Sequence, residues 1–190
     1  MVGNLPQPRK RRGMGDTGTA PDGTSTRDSI QSWRLADEHG DAQAAAGCLA
    51  PGVVLISPLT AAFRFEGVAQ VTDVLASAFE VIHDIRYHTQ TGGGDTWALF
   101  YHGRTRREAI EEAQLIRLDD DGLIREITLF GRPLPALTDV LAGIGPPLLR
   151  RQRQPALARL VGFATAPLNA LTRLGERTIL PRTKPNVHKD

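Results

Sequence analysis

Apolar residues recur along the chain in two rhythms, one helical and one alternating, and the switches between them delimit the elements. Ile30, Trp33 and Asp37 share one face of a helix predicted over Thr26–His39, with Leu35 and Glu38 flanking it. Thr26 and Asp28 are suited to cap its N-terminus, and Gly40 ends it. Asp41 caps a second, short helix running through Leu49, closed by Pro51-Gly52. Val53–Ser57 is an apolar run of strand length stopped by Pro58. Helical spacing returns over Gly67–Phe79, where Val68, Val71, Val74 (or Leu75) and Ala78 line one side.

Four strands follow, predicted over Val81–Thr89, Thr96–Thr105, Ala109–Leu118 and Leu123–Arg132. Gly92-Gly93-Gly94-Asp95 turns the first into the second, and Asp119-Asp120-Asp121-Gly122 turns the third into the fourth, Asp-Gly being suited to positive φ. A last helix is predicted to start near Pro133 or Pro135 and to stop by Gly143 or Gly145. Three helices with one inserted strand, then a four-strand meander, then a helix make an α+β domain: helices packed on a curved antiparallel sheet. A curved sheet closed by helices leaves a hollow of the kind that holds small ligands.

Composition and charge set the limits of this body. The chain has 190 residues, 41% hydrophobic and 23% charged, which suits one domain, and aromatics at 5% leave the core mostly to Ala, Val, Leu and Ile. One cysteine, Cys48, excludes an intramolecular disulfide and a Cys-rich zinc site. No apolar run approaches the roughly 18 residues of a membrane helix, and Arg9-Lys10-Arg11-Arg12 is not followed by the apolar stretch of a signal peptide. The expected compartment is therefore cytoplasmic. The formal net charge of +2 conceals a division: residues 26–145 carry ten basic and seventeen acidic side chains, residues 146–190 nine basic and two acidic. Residues 1–25, rich in Gly, Pro, Thr and Asp, cannot bury enough apolar surface to offset ordering entropy and are read as disordered; Met14 is an alternative start. Three segments result: 1–25, a folded domain at 26–145, and a basic, partly helical C-terminal extension at 146–190.

The order of elements and several motifs resemble the NTF2-like superfamily, and especially its SnoaL-like branch, over about residues 26–145. The features that carry the resemblance are the Trp33 helix, Gly40-Asp41, Val53-Val54-Leu55-Ile56-Ser57-Pro58, the helix opened by Gly67, the Arg117–Glu126 hairpin with its Asp-rich turn, and Arg132-Pro133-Leu134. The resemblance implies a cone-shaped α+β fold around a pocket. The superfamily holds isomerases, polyketide cyclases, epoxide hydrolases, transport factors and inert binding modules, so fold alone does not choose among them. Ketosteroid isomerases of this superfamily use a base aspartate, a tyrosine donor and a protonated aspartate donor. Those positions correspond here to Ser57, Trp33 and Gln114. A serine without an adjacent base cannot abstract a carbon-bound proton, whereas Trp33 and Gln114 retain hydrogen-bond donors. The resemblance thus implies the pocket without the isomerase's base. The aspartate–arginine–aspartate set of an epoxide hydrolase of this fold has no counterpart, since the fourth strand offers only Glu126.

Strand alternation extends the reading. If Gln114 points into the hollow, so do Glu112 and Ile116; the corresponding residues are Trp97, Leu99 and Tyr101 on the second meander strand and Ile127, Leu129 and Gly131 on the fourth. Glu112 is the candidate acid or base, because desolvation among aromatic walls raises a carboxyl's pKa; pairing with an arginine such as Arg104 is the alternative. Trp33, Ser57, Trp97, Tyr101, Gln114 and Leu129 are the candidate ligand-binding residues. His83, His88 and His102 match no metal spacing, so neither metal nor cofactor is expected. Ser57 lacks a nucleophile context, and Gly92-Gly93-Gly94 leads to no helix, so both are read structurally. Arg104, Arg106 and Arg107 are expected at a solvated strand end, and Arg132 in a structural ion pair.

Residues 155–174 place Leu157, Leu160, Val161, Leu168, Leu171 and Leu174 at helical spacing, with Pro167 as a break. Packing of this tail over the body is the first expectation and association with a membrane surface the second; with only Phe163 as an aromatic, no nucleic-acid role is expected. The expected function is binding of a small apolar molecule, with acid–base chemistry on it (isomerisation, cyclisation or hydration). The alternatives are a non-catalytic binding module and a homodimeric interaction module whose tail docks on a partner or membrane surface.

Overall fold

The computed structural model describes residues 23–154, 167–168 and 170–183. The expectation of disorder over 1–25 falls almost wholly outside these residues, as does the helical reading of 155–166. The elements are α1 (Gly23–His39), α2 (Ala42–Ala46), β1 (Leu49–Ile56), β2 (Phe65–Glu66), α3 (Gly67–Phe79), β3 (His83–Gly93), β4 (Thr96–Arg104), β5 (Ala109–Leu118), β6 (Ile124–Arg132) and α4 (Leu134–Arg151). Residues 170–178 are helical, followed by a 3-10 turn at Leu180–Thr183. No described helix is long and apolar enough to cross a membrane.

The strands form one six-stranded sheet in the order β2-β1-β6-β5-β4-β3. The meander β3–β6 is antiparallel as its turns require, and Asp119 closes the last turn by accepting from the N–H groups of Asp121 and Leu123 at 3.1 and 2.8 Å. The sheet as a whole is mixed rather than antiparallel, because β1 runs parallel to β6. The reason is burial: Leu55 pairs with Ile127, and both lie in the core. β1 also starts earlier than the apolar run, and α2 stops earlier than Leu49. Pro51 and Gly52 are exposed residues within β1, where the register with β6 shifts between Leu49 and Val54. A proline without an N–H fits such an interruption of the ladder.

α4 does not stop at Gly143 or Gly145 but continues through Pro146-Pro147 to Arg151. Two features hold the extension. Gly143 lies so close to Val81 that a Cβ there would meet its Cγ1 at 2.7 Å, so the missing side chain allows the helix to approach the α3–β3 corner. Arg151 then donates to Ser77 Oγ at 3.0 Å and to Glu80 Oε1 at 2.5 Å, tying the helix end to α3. The larger core cluster surrounds Trp33, Leu99, Ile116 and Ile127, and a smaller one joins Ile82, Ile85, Tyr101 and Ile110 to Ala136 and Val140 of α4.

Candidate ligand pocket and its buried carboxyl pair

Between the concave face of the sheet and helices α1, α3 and α4 lies a cavity of about 900 Å³. Its apolar wall includes Leu55, Val74, Phe79, Ile127 and Leu129, with Leu137, Val140 and Leu141 contributed by α4. Its polar wall is built across three elements. On α1, Trp33 and Asp37 are one turn apart on the face that meets the sheet, and both are buried. On β5, alternation brings Glu112 and Gln114 inward, and the register sets Tyr101 opposite Glu112 and Tyr87 opposite Tyr101.

Gln114 joins these groups. Its Oε1 accepts from Trp33 Nε1 at 2.9 Å and lies 2.8 Å from the Tyr87 hydroxyl, while its Nε2 donates to Asp37 Oδ2 at 3.1 Å and also serves Glu112. The Tyr87 hydroxyl is also in hydrogen-bond contact with Asp37 Oδ2. Its single proton serves either Asp37 or Gln114, and a protonated Asp37 can donate back to the phenol oxygen. Tyr101 donates to Glu112 and meets the Tyr87 ring edge to face, 5.4 Å between centroids.

Burial dominates the electrostatics of the carboxyl pair. Desolvation pushes Glu112 up to about 8; the hydrogen bond from Tyr101 opposes it, the nearby Asp37 charge reinforces it, and Gln114 opposes it weakly. Desolvation pushes Asp37 up to about 6, against the hydrogen bonds of Tyr87 and Gln114 and with a small contribution from Glu38. The phenols of Tyr87 and Tyr101 are pushed up by burial and the neighbouring carboxyls, so both keep their protons. Burial thus raises both carboxyls above their ordinary range, Glu112 further than Asp37.

The structure gathers Trp33, Ser57, Tyr101, Glu112, Gln114 and Leu129 around this cavity. Trp97 is not among its lining residues. It is buried further along β4, where its indole N–H donates to Gly94 O at 3.2 Å and the side chain completes the core instead. The Ser57 Oγ accepts from the N–H of Leu59 at 3.2 Å and so shapes the turn after β1. Glu112 is not paired with Arg104; the neighbouring Glu111, on the outer face, pairs with Arg132. The sequence pattern alone does not single out Asp37 and Tyr87 as site residues. The signal for Asp37 was its place on the Ile30–Trp33 helix face, and for Tyr87 its alternation with the buried Ile85.

The SnoaL-like domain family matches residues 30–127. No curated protein matches the sequence. Among solved structures, a steroid delta-isomerase from Pseudomonas aeruginosa superposes with a TM-score of 0.59 at 23% identity, covering 71% of this chain and 96% of that one. An uncharacterised protein with a cystatin-like fold from Silicibacter pomeroyi gives 0.63 at 21% identity, covering 75% and 96%. A protein assigned as a SnoaL-like polyketide cyclase from Jannaschia sp. CCS1 gives 0.54 at 16% identity, covering 63% and 94%. At these identities the likeness is one of fold.

Proposed function

The chain belongs to the SnoaL-like domain family, and on that premise we propose that it binds a small, largely apolar molecule in the cone and performs acid–base chemistry on it. The observation that carries the proposal is the pair of buried carboxyls, Asp37 and Glu112, bridged by one amide in the wall of an apolar cavity and pushed up to different pKa values. Ionised Asp37 takes a proton from the substrate. Protonated Glu112 donates to the oxygen on which charge develops, and the proton is returned to another atom. Such a cycle fits isomerisation, cyclisation or hydration. Trp33 and Gln114 act from behind the carboxyls, since their polar groups are spent within the network, while Ser57, Tyr101 and Leu129 orient the ligand. Activity that needs Asp37 ionised and Glu112 protonated has a bell-shaped pH profile with its maximum between about 6 and 8.

Ser57 favours a second reading. It stands where the resemblance places a base aspartate but carries no carboxylate, and its Oγ accepts from the Leu59 N–H, so the same pocket also suits binding without turnover. A third reading, a homodimer through the outer sheet face, is favoured by Phe130, whose side chain stands 55% exposed there.

Native mass spectrometry of the purified protein, followed by release and identification of bound small molecules, is the first test. The expected result is a co-purifying apolar molecule that the wild type converts, and that Glu112→Gln binds without converting. A bound molecule left unchanged by the wild type would refute the catalytic reading in favour of the second. The same spectrum reports whether the chain is a dimer.

A further inference from the structure

A second group of ligating side chains lies on the outer face of the sheet, away from the cavity. His88 on β3, His102 on β4 and Glu111 on β5 each offer one ligand atom, and the three atoms lie within 4.8 Å of one another. The register explains how they meet. His102 sits directly opposite Glu111. On the other side Tyr87 pairs with Tyr101 and Thr89 with Phe100, so His88 is the extra residue of a β-bulge. Bulges re-aim side chains, and here His88 stacks on His102 with 4.2 Å between ring centroids and 21° between planes.

Each of two ligands also has a partner behind it. His88 Nδ1 lies 2.9 Å from Thr89 Oγ1. With Nδ1–H donating to that hydroxyl, the lone pair resides on Nε2, which lies 3.9 Å from Glu111 Oε1. Arg132 holds the other carboxylate oxygen, Oε2, and leaves Oε1 free. Orienting contacts of this kind are what ligating histidines and carboxylates ordinarily receive from the residues around a metal.

We propose that His88, His102 and Glu111 form a binding site for a divalent transition-metal ion, with zinc the best match. Two imidazoles and one carboxylate are a ligand set zinc accepts, and three protein ligands leave the fourth tetrahedral position to water. Bonds of usual length place tetrahedral ligand atoms roughly 3.3 Å apart. Both histidines are exposed, so small ring rotations close the present separations. Linear spacing hides this site because its ligands come from three strands and one is turned into place by the bulge. It is separate from the proposed chemistry: alternation points His102 and Glu111 away from Tyr101 and Glu112.

The test is isothermal titration of untagged, chelator-treated full-length protein with zinc chloride at pH 7.5. The expected result is one ion per chain, weakened at least tenfold by His88→Ala or by His102→Ala. Circular dichroism confirms that these surface variants are folded. Zinc binding that is equal in the wild type and in the His88→Ala/His102→Ala double variant overturns the proposal, as does the absence of binding at millimolar zinc.

Discussion

Gln114 accepts from Trp33 and donates to Asp37 and Glu112, and its second acceptor position shares the Tyr87 proton with Asp37. An amide so placed fixes the carboxyls without adding charge between them, which lets burial dominate their titration. For Glu112 the consequence for stability has a definite sign. Its folded value of about 8 lies above its ordinary 4.5, so its contribution to stability is complete below about 4.5 and is lost as the pH rises through about 8. Each unit of such a shift corresponds to ~1.4 kcal/mol. Glu112→Gln keeps the shape and removes the titration. Its melting temperature is therefore expected to fall less than that of the wild type between pH 5 and pH 8, as followed by thermal denaturation; parallel profiles would show that Glu112 is not enclosed. At this scale the resemblance to the superfamily supplied Gln114 and Trp33 as pocket positions, helical spacing agreed for Trp33, and alternation from Gln114 then supplied Glu112. Asp37 was not legible, because a carboxylate on an apolar helix face becomes informative only once the strand residue opposite it is known. Trp97 shows the limit of alternation: it gives the correct face but not the position along the strand at which the core ends and the cavity begins.

At the scale of elements, local pattern located α1, α3 and the meander, each of which forms through near neighbours in sequence. It did not locate what depends on distant partners. β1 is parallel to β6 because Leu55 meets Ile127 across a gap of the whole meander, and β2 exists only as a short pairing with β1. The extension of α4 is the same kind of effect. Gly143, Gly145, Pro146 and Pro147 read as a stop, yet the helix gains contacts with α3 and the β3 corner that the sequence does not display. Gly143 offers a test in which propensity and packing have opposite signs. Alanine is the better helix former by about 1 kcal/mol. Its Cβ would lie 2.7 and 2.9 Å from the two methyls of Val81, closer than any side chain tolerates. Gly143→Ala is therefore expected to destabilise the protein by about 1–3 kcal/mol in urea denaturation, and Gly143→Ala combined with Val81→Ala to recover part of the loss. A stabilised single variant would mean that α4 does not pack at this corner.

Over the whole molecule, an acidic body carries a basic extension; Pro147 and Leu148 at its start pack into the body, and the later helix meets the body through polar contacts. Thr172 Oγ1 lies 2.8 Å from Thr138 Oγ1, and Arg177 stands 3.7 Å from Glu108. The leucines do not follow. Leu168, Leu171 and Leu174, spaced to share one helix face, are exposed by 45%, 66% and 59%, and Ile179 and Leu180 beyond them are also exposed. Apolar packing of this part of the tail over the body, the first expectation from the sequence, is thus corrected: polar contacts seat the helix and leave its apolar stripe outward. An apolar stripe flanked by Arg173 and Arg182 has the composition of a helix that lies on an anionic bilayer, where the leucines enter the interface and the arginines meet the headgroups. The full-length chain is accordingly expected to co-sediment with phosphatidylserine-containing vesicles, less so with phosphatidylcholine alone. Leu171→Glu with Leu174→Glu should abolish the binding, and raised salt should weaken it by screening the arginines. Vesicle binding that survives both leucine substitutions would assign the attraction to charge alone, and the stripe would then require another partner.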